Sequence, residues 1–500
     1  MSTTEPSGPL NGLRVFDLTR VLAGPTCVQM LADLGADVIK IEKPGSGDDT
    51  RGFAPPFMPG TAESAYFVGV NRNKRSVTLD IAKPEGQALA LRLIEGCDVL
   101  VENFKAGALA RYSLGYEQLR ERFPRLIYCS ITGFGQTGPY AERPGYDGLM
   151  QAMGGVMSLT GEPDGLPQKV GIPVADLFAG LYGCIGVLAA LRHRDATGQG
   201  GLANAGAARD AGPAAAAATA SAAAATASTA AAESAAAAAA DLRAAAEDVV
   251  GRSALARGTV SLGQDAGGGT TAGGLAAGAL QSAPPGAGGA AKGAGGQHID
   301  IGMLDTHVAW LANQGMNYLA TGENPVRLGN QHPNIVPYQV FATADGHVVL
   351  SIGNDPTFRR FCDNFGLPEM AQDARFATNA ARVQNRDLVT RALEPVLSAH
   401  PTAWWVERLE AQKIGCGPIN TLAQVFADPQ VVARGMVVTM PHPATSDGVR
   451  VIANPVRLSA TPADYRLPPP MLGEHTDEVL AARLGLDTAA LAGLRERGVI

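Results

Sequence analysis

The chain has 500 residues, of which 46% are hydrophobic and 17% are charged, so it can bury a large core and has room for roughly two to four domains. Its formal net charge of −7 argues against a general nucleic-acid binder. Residues 1–12 have no basic or apolar stretch, so no secretory signal is predicted. The 6 cysteines form no C-x-x-C pair, which favours free thiols in the cytoplasm over a zinc site.

Residues 12–48, GLRVFDLTRVLAGPTCVQMLADLGADVIKIEKPGSGD, predict a βαβ unit. The apolar run at 13–18 is typical of a buried parallel strand, and 37–42 is the second strand. Pro25 lies where a helix would begin, and Gly35 follows its last residue. Such units bind ligands at the carboxyl ends of their strands. The turn lacks G-x-G-x-x-G, so it does not predict a dinucleotide site.

Strands and helices continue to alternate up to residue 200. We predict strands at 76–81, 98–103 and 126–135, and helices near 84–95, 116–122, 147–153 and 175–192. This alternation predicts an α/β fold with a mostly parallel sheet that is covered on both faces. The apolar stretch 172–191 contains Asp176 and several glycines, so we interpret it as a buried helix rather than a membrane span.

Residues 201–296 interrupt this pattern. They are rich in Ala and Gly and contain no aromatic residue. The Ala-rich part, 213–247, has high helix propensity but few large side chains to bury. Without the segment, the flanks would form HRDATGQGGQHIDIGMLD, a short polar turn between a helix and a strand. We interpret it as an insertion into a surface turn, favouring a disordered spacer over a docking element.

The pattern of predicted strands and helices changes after the insertion. We predict a strand at 298–303, a helix near 303–320, a hairpin at 341–353 that turns at 344–346, and helices near 355–364, 385–399 and 402–412. Residues 326–428 are therefore predicted to form a second domain, and the tail from about 430 to 500 returns to strands and one helix.

Asp176 is the sharpest candidate for chemistry, because it lies in the first turn of an otherwise apolar helix. An ordinary N-terminal Asp is stabilised there by the helix dipole. A poised nucleophile or base is the functional alternative, since carboxylates can form covalent intermediates. Tyr146 and Asp147 precede another Gly-rich helix, where they predict only a turn and a cap.

Basic side chains are frequent in the same half of the chain. The NRNKRS segment (71–76), Lys43, Lys105 and Arg111 follow predicted strand ends, which suits phosphate binding, although a solvated basic face is an equal alternative. His332 lies in a Gly/Pro/Asn-rich loop, where a structural role is more common than a catalytic one. The remaining histidines that we considered have no metal-ligand spacing, so we predict no metal: His298, His307 and His475.

Seven segments together resemble the class III CoA-transferases, the group that includes formyl-CoA transferase and the carnitine and bile-acid CoA-transferases. They are the 12–48 segment quoted above, NRNKRSVTLD, DVLVENFKAGAL, PRLIYCSITGFGQTGPY, GYDGLMQAMGG, ADLFAG and MLGEHT. The resemblance extends over 10–200 and 297–500, which is nearly everything except the insertion.

The resemblance implies a Rossmann-like large domain built from both chain ends, a smaller α+β middle domain and an interlocked homodimer. The implied organisation is a CoA-binding large domain (10–200), the insertion (201–296), a connecting strand and helix (297–325), the small domain (326–428) and a return to the large domain (429–500). It also implies acyl-CoA and carboxylic acid substrates, with a coenzyme A thioester as substrate and no prosthetic group. Neither nucleic acid nor membrane is an implied partner.

By the same matching, Asp176 is the nucleophile. The implied CoA contacts are Leu22, Ala23, Lys43, Leu79, Asp80, Ile81, Ala82, Asn103, Phe104, Lys105, Arg111, Pro144, Gly145, Tyr146 and Asp147. Formyl-CoA transferase has Gln at the position of Leu22, Arg at that of Lys43, and a longer glycine run in place of GNQHPN. These differences argue against formate as the acyl group. The GNQHPN and CGPIN segments look most like those of members that act on dicarboxylates such as succinate.

The implied chemistry is transfer of CoA through an aspartyl mixed anhydride and an aspartyl-CoA thioester. An α-methylacyl-CoA racemase is one alternative, although the racemases carry a His where this chain has Tyr146. A catalytically inactive CoA-binding scaffold protein is the other, with the insertion as its interaction arm.

Overall fold

Six parallel strands form the central sheet of the computed structural model, which describes residues 8–197 and 295–500. They are β1 (Arg14–Asp17), β2 (Asp37–Glu42), β3 (Lys74–Thr78), β4 (Val99–Glu102), β5 (Ile127–Thr132) and β6 (His298–Gly302). Their order is β3-β2-β1-β4-β5-β6, that of a doubly wound sheet, and it confirms the predicted α/β fold. The strand predicted at 76–81 begins earlier, at Lys74.

Helices surround the sheets. In chain order they are α1 (Ala23–Asp33), α2 (Ala65–Gly69), α3 (Pro84–Glu95), α4 (Tyr116–Arg122), α5 (Asp147–Met153), α6 (Val156–Leu159), α7 (Val174–Ala196), α8 (Met303–Ala309), α9 (Ala312–Thr321), α10 (Asp355–Asn364), α11 (Pro368–Gln372), α12 (Asn379–Gln384), α13 (Arg386–Leu397), α14 (Thr402–Ala411), α15 (Leu422–Ala427), α16 (Pro429–Ala433), α17 (Thr476–Leu484) and α18 (Thr488–Glu496). Short 3-10 helices lie at Asp49–Gly52 and Ala108–Tyr112. The helix predicted near 303–320 is divided into α8 and α9.

Two hydrophobic cores lie on the two faces of the central sheet. One contains α1, α7 and the side chains that β1, β4 and β5 direct toward them, such as Val15 and Val101. The other contains α3 and the opposite side chains, such as Phe16 and Leu100. Alternate residues of one strand therefore enter different cores, as the pleat of a strand requires.

The helices α1 and α7 pack closely and run in the same direction. A Cβ on Gly180 would lie 2.6 Å from the carbonyl oxygen of Ala23, and one on Gly183 would lie 3.2 Å from Cys27 Sγ. Later residues of α7 thus contact later residues of α1. Asp176 lies one turn before Gly180, so it lies beside the loop that precedes α1.

The outer face of α7 is less covered than the sequence predicts. By length and composition this helix could span a membrane, and less than half of its most apolar stretch is buried. Leu181, Tyr182 and Ile185 are among its exposed side chains. The prediction of a buried helix is therefore wrong for this face, because the pattern of apolar residues does not reveal which of them meet a neighbour in the same chain.

A second sheet is formed by the middle of the chain. β7 (Tyr338–Ala342), β8 (His347–Ser351) and β9 (Gly415–Pro418) are antiparallel, and α10 to α14 pack around them on a separate core. The predicted hairpin is confirmed, since Thr343 N–H donates to the carbonyl oxygen of Gly346 at 2.9 Å. Its first strand begins at Tyr338, three residues before the predicted start.

The C-terminal part contacts the central sheet again. A hairpin of β10 (Val437–His442) and β11 (Thr445–Ile452) is followed by α17 and α18. Both helices contribute to the core on the α3 face, through Val479 and Leu494 among others. The tail has two helices rather than the single predicted one, because the short turn around Gly485, at φ 68°, ends α17.

Candidate active site

A cavity of about 350 Å³ opens at the carboxyl ends of the strands. It lies at the switch point of the sheet, where the chain order changes between β1 and β4, which is the usual ligand site of doubly wound folds. Its wall consists of residues that follow β1 to β4, together with Lys40, Ile41, Glu42 and Tyr112.

Six of the implied CoA contacts line this cavity: Lys43, Leu79, Asp80, Ile81, Ala82 and Phe104. The others do not form its wall: Leu22, Ala23, Asn103, Lys105, Arg111, Pro144, Gly145, Tyr146 and Asp147. Arg111 directly precedes the wall residue Tyr112, and its guanidinium carbon lies 4.6 Å from the ring centroid of Tyr112. The cavity therefore gathers the contacts that follow β2 and β3, together with Phe104 after β4, and the contacts near α1 and α5 lie outside its wall.

Several cavity residues were missed by sequence reasoning: Thr19, Arg20, Ser46, Gly47, Asp48, Asp49 and Tyr112. A signal was present in the GSGD segment directly after β2. Gly45 and Gly47 adopt φ of 81° and 66°, which L-residues rarely do. Two such glycines in succession turn the chain sharply and bring Asp48 back beneath the loop that follows β1.

Asp48 belongs to a buried ion pair below the cavity. Lys40 Nζ donates to Asp48 Oδ2 at 2.9 Å and to the carbonyl oxygen of Thr19 at 2.8 Å. Both charged side chains are fully buried. Burial acts to raise the pKa of Asp48, but the Lys40 ammonium and the hydrogen bonds from Thr50 outweigh it and lower that pKa to about 2. Asp48 is therefore a carboxylate at neutral pH.

The basic segment at 71–76 is not the phosphate site that we considered, nor a solvated face. It precedes β3 and continues into it, so it lies at the opposite end from the carboxyl ends of the strands. Arg72 Nη2 lies 2.5 Å from Asp33 Oδ2, and Lys74 Nζ lies 3.2 Å from Asp17 Oδ2, with all four side chains buried. These cations neutralise buried carboxylates and leave ligand phosphates to other residues.

The second region is built around the first turn of α7. Asp147, the first residue of α5, accepts a hydrogen bond at Oδ1 from Ala175 N–H at 2.9 Å. Gln151 donates to the other carboxylate oxygen at 2.8 Å. A close backbone approach fixes this loop, because a Cβ on Gly145 would lie 2.3 Å from the Cα of Gly133. Asp147 thus caps α7 from outside that helix.

Asp176 is consequently free from capping α7. It is half-buried, and none of the hydrogen bonds among residues 8–197 and 295–500 involves its side chain. Burial raises the pKa of the Asp176 carboxyl to about 7, and the nearby carboxylate of Asp147 adds to the rise. An unpaired carboxylate with a pKa near neutrality is what nucleophilic or general-base chemistry requires.

Tyr66 is a further neighbour that sequence reasoning missed. It follows the first residue of α2, far from α5 and α7 in sequence, and its ring packs edge-on against Phe53 at 5.6 Å. Burial raises the pKa of the Tyr66 phenol, and the carboxylates of Asp176 and Asp147 raise it further. Its hydroxyl therefore stays protonated beside them and can donate a hydrogen bond. No local motif marked this residue.

The GNQHPN loop is held by polar contacts on both sides. Arg386 of α13 donates to the carbonyl oxygens of His332 and Pro333 at 2.9 and 2.8 Å. Asn313 of α9 donates to the side chain of Asn334 at 3.1 Å. The His332 ring stacks on Tyr338 at 5.2 Å, and its Nδ1 accepts from Asn334 N–H, which agrees with the structural role favoured by the sequence.

Within the two described ranges, no group of three or more His, Cys, Asp or Glu side chains has an arrangement that could hold a metal ion. All six cysteines are free thiols.

Known proteins resemble this chain over most of its length. The model of CoA-transferase family III matches residues 10–257 and 260–476. A succinate–glutarate CoA-transferase of Agrobacterium fabrum is 40% identical over 483 residues, with 95% of each chain covered. The succinyl-CoA:glutarate CoA-transferase of Mus musculus is 35% identical over 492 residues, covering 98% of this chain and 90% of the relative.

A solved structure extends the similarity to the fold. The crystal structure of a CAIB/BAIF family protein from Brucella suis matches with a TM-score of 0.68 and 39% identity, over 95% of this chain and 100% of that chain. The predicted family membership is thus confirmed in sequence and in fold. The chain belongs to family III of the CoA-transferases, enzymes that transfer sulfur-containing groups.

Proposed function

We propose that this enzyme moves CoA from succinyl-CoA, or a similar dicarboxylyl-CoA, to a dicarboxylic acid acceptor of the glutarate type, with Asp176 as the nucleophile. The observation that carries the proposal is the half-buried Asp176 carboxyl, which has no hydrogen-bond partner within residues 8–197 and 295–500 and whose pKa burial raises to about 7. The names of the relatives from Agrobacterium fabrum and Mus musculus support the dicarboxylate pair.

In the first half-reaction, the Asp176 carboxylate attacks the thioester carbonyl of the donor. The C–S bond breaks, CoA leaves as the thiolate, and an aspartyl-succinyl mixed anhydride forms. The thiolate then attacks the aspartyl carbonyl of the anhydride, which releases succinate and leaves an aspartyl-CoA thioester. The second half-reaction runs these steps in reverse with the acceptor carboxylate. No proton or electron is consumed, and the activation of the acyl group is kept in a covalent bond throughout.

The surroundings of Asp176 suit the charges that develop. Each attack places negative charge on a carbonyl oxygen, which nearby donors stabilise if they are already oriented. The first turn of α1 has no capping side chain and no acidic residue, and Tyr66 keeps its phenol proton. Exclusion of water around the anhydride, which we assign to the loop at 329–337, would prevent hydrolysis.

We assign the nucleotide end of CoA to the cavity, with Lys43 and Arg20 toward the phosphates and Phe104 and Tyr112 as apolar walls. The pantetheine arm would pass the loop before α1 and reach Asp176, which lies beside that loop. This path joins the two regions of the site. It also gives a role to Leu22 and Ala23, which lie outside the cavity wall but at the start of α1.

We also propose that the active form is a homodimer. Apolar side chains are exposed on two helices, among them Ile185 on α7 and Met316 and Leu319 on α9, which are 59%, 62% and 74% exposed. Contiguous exposed apolar surface marks an interface in soluble proteins. Sedimentation equilibrium of the wild type and of Ile185→Lys tests this: a wild-type monomer would contradict it.

A screen of carboxylic acids with succinyl-CoA as donor tests the substrate class. We expect turnover with C4 to C6 dicarboxylates and little with formate or other monocarboxylates. Good monocarboxylate turnover without dicarboxylate turnover would overturn the assignment. Proton exchange at the α-carbon of a 2-methylacyl-CoA in D₂O, followed by NMR, would instead favour the racemase alternative.

The covalent route has its own test. Asp176→Ala is expected to abolish transfer while CoA still binds by calorimetry. Hydroxylamine should trap wild-type enzyme that has been incubated with acyl-CoA, as an aspartyl hydroxamate detected by mass spectrometry at Asp176. Substantial transfer by Asp176→Ala would exclude this route.

A further inference from the structure

The loop at residues 19–22, between β1 and α1, is held by side chains rather than by secondary structure. Thr19 N–H donates to Asp17 Oδ1 at 2.8 Å, and the Thr19 carbonyl accepts from Lys40 Nζ at 2.8 Å. Asn103 holds the next residue, because its Oδ1 accepts from Arg20 N–H at 2.8 Å and its Nδ2 donates to the Arg20 carbonyl at 2.6 Å. Side chains from around β1, β2 and β4 thus bind consecutive backbone groups.

The next residue, Val21, is also held by a side chain, and its backbone conformation is unusual. Val21 N–H donates to Asp48 Oδ1 at 3.1 Å. Its φ is 67°, in the left-handed region, where a β-branched residue is strongly disfavoured. A strained residue persists only where its surroundings impose the conformation. Here the imposing groups are Asn103 and Asp48, which bind the carbonyl oxygen and the N–H of the peptide group that joins Arg20 to Val21.

The strained loop lies close to the proposed nucleophile and to the cavity. α1 and α7 run in the same direction, so the loop before α1 lies beside the first turn of α7, where Asp176 is located. Thr19 and Arg20 also line the cavity. The loop therefore lies between the two regions of the site, and the direction of its peptide groups depends on the conformation of Val21.

From these contacts we infer that Asn103 is a positioning residue that holds residues 20–22 in the strained conformation beside Asp176, rather than primarily a CoA contact. The Oδ1 atom and one N–H of its amide are bound to the backbone of Arg20. The resemblance had implied Asn103 as a CoA contact. The inference rests on the proposed function only in that CoA transfer is the activity measured.

A double-mutant cycle between Asn103 and Val21 tests the inference. Without the amide, Val21 relaxes toward negative φ and the loop leaves its place beside Asp176. We expect Asn103→Ala to lower kcat on the order of tenfold to a hundredfold, with a smaller rise in KM for the acyl-CoA. Glycine has no preference against positive φ. Val21→Gly should therefore recover about tenfold of kcat in the Asn103→Ala background.

Val21→Ala is the matched control, because it shortens the side chain but keeps a Cβ and hence a penalty at positive φ. It should recover less than Val21→Gly. If Asn103 instead binds CoA directly, Asn103→Ala would raise KM with kcat little changed, and Val21→Gly would recover nothing. That result would overturn the inference. Should Asn103→Ala not fold, Asn103→Ser, which cannot bridge both Arg20 atoms, replaces it in the cycle.

A second readout does not depend on activity. Val21→Gly removes strain only while Asn103 holds residue 21 at positive φ. It should therefore raise Tm more in the wild-type background than in the Asn103→Ala background, and the two increases should differ by about 2 °C or more. Equal effects in both backgrounds would overturn the inference. A wild type without transfer activity would contradict the proposed function instead. The comparison of Tm values in the two backgrounds would still decide whether Asn103 holds Val21 in its strained conformation.

Discussion

Asp147 accepts a hydrogen bond from the backbone N–H of Ala175 at 2.9 Å, although the two residues are 28 positions apart. Asp176 directly follows Ala175, so the carboxylate that caps α7 also lies next to Asp176. Burial raises the pKa of the Asp176 carboxyl, and the Asp147 carboxylate raises it further. Gln151 fixes the orientation of Asp147 by donating to its second oxygen at 2.8 Å. One contact between two helices thus fixes the place of the proposed nucleophile and adds to the effect of burial on its pKa.

The pH dependence of transfer should follow Asp176. Only the ionised carboxyl can attack the thioester, so kcat/KM is expected to rise with pH through about 7 and to level off above. Asp147→Asn keeps an acceptor oxygen for Ala175 N–H but removes the charge, so the midpoint should move to lower pH. Profiles of kcat/KM from pH 5 to 9 measure this. An unchanged midpoint in Asp147→Asn would show that the two carboxyls are not coupled.

The same pKa predicts that Asp176 lowers stability at neutral pH. Its folded-state pKa is raised from 3.8 to about 7, so its contribution to stability is fully present below about pH 4 and is lost as the pH rises through about 7. Asp176→Asn should therefore melt higher than the wild type at pH 8, with a smaller difference at pH 5. Asp373→Asn is the control, because Arg375 lowers the pKa of Asp373, so this substitution should not raise Tm.

Lys43 should contribute to CoA affinity through charge. It is exposed on the cavity wall, where a ligand phosphate would be the natural partner of an ammonium group. Lys43→Ala is expected to raise KM for the acyl-CoA about threefold to tenfold, and the effect should shrink at high salt. Arg359→Ala, which removes a positive charge from an exposed position on α10, serves as the control. Equal effects of both substitutions would argue against a local contact.

The buried pair of Arg72 and Asp33 should matter for folding rather than for ligand binding. Asp33 also accepts from Asn454 Nδ2 at 3.1 Å, so the pair holds the C-terminal segment against α1. Arg72→Ala leaves a buried carboxylate without its cation and is expected to cost about 3–5 kcal/mol. Arg375→Ala, which breaks an exposed pair with Asp373, should cost far less, because water screens that pair. Denaturant unfolding compares them, and equal costs would contradict the expectation.

Deletion of residues 202–295 should leave folding and transfer intact. The two flanks of this segment lie close together, since Arg194 Nη1 donates to the carbonyl of Arg125 at 3.4 Å and Gly296 N–H donates to that of Pro124 at 3.1 Å. A short direct connection between α7 and β6 therefore needs no rearrangement. Thermal melting and the transfer assay compare the shortened and full chains. A collapse of Tm on deletion would show that the segment packs on the rest.

Local patterns were sufficient for most of the large sheet. Helices α3, α4 and α5 have the predicted bounds, because a proline, a cap or a glycine marks their ends within a few residues. The strand predicted at 76–81 was displaced from Lys74–Thr78 because Lys74 at its start and Arg72 just before it are buried but, as charged residues, look exposed in sequence. Their partners Asp17 and Asp33 are distant along the chain, and only the fold brings them together.

For the site, the sequence by itself determined the family, and it singled out Asp176 and the residues that follow β2 and β3 as candidates, since these depend on motifs that are continuous along the chain. The tertiary structure decided how they act. It assigned the cap of α7 to Asp147 rather than Asp176, placed Tyr66 within electrostatic reach, and occupied the Asn103 amide with the backbone of Arg20. Burial and through-space contact set the pKa values and the strain at Val21, and neither can be determined from local sequence patterns.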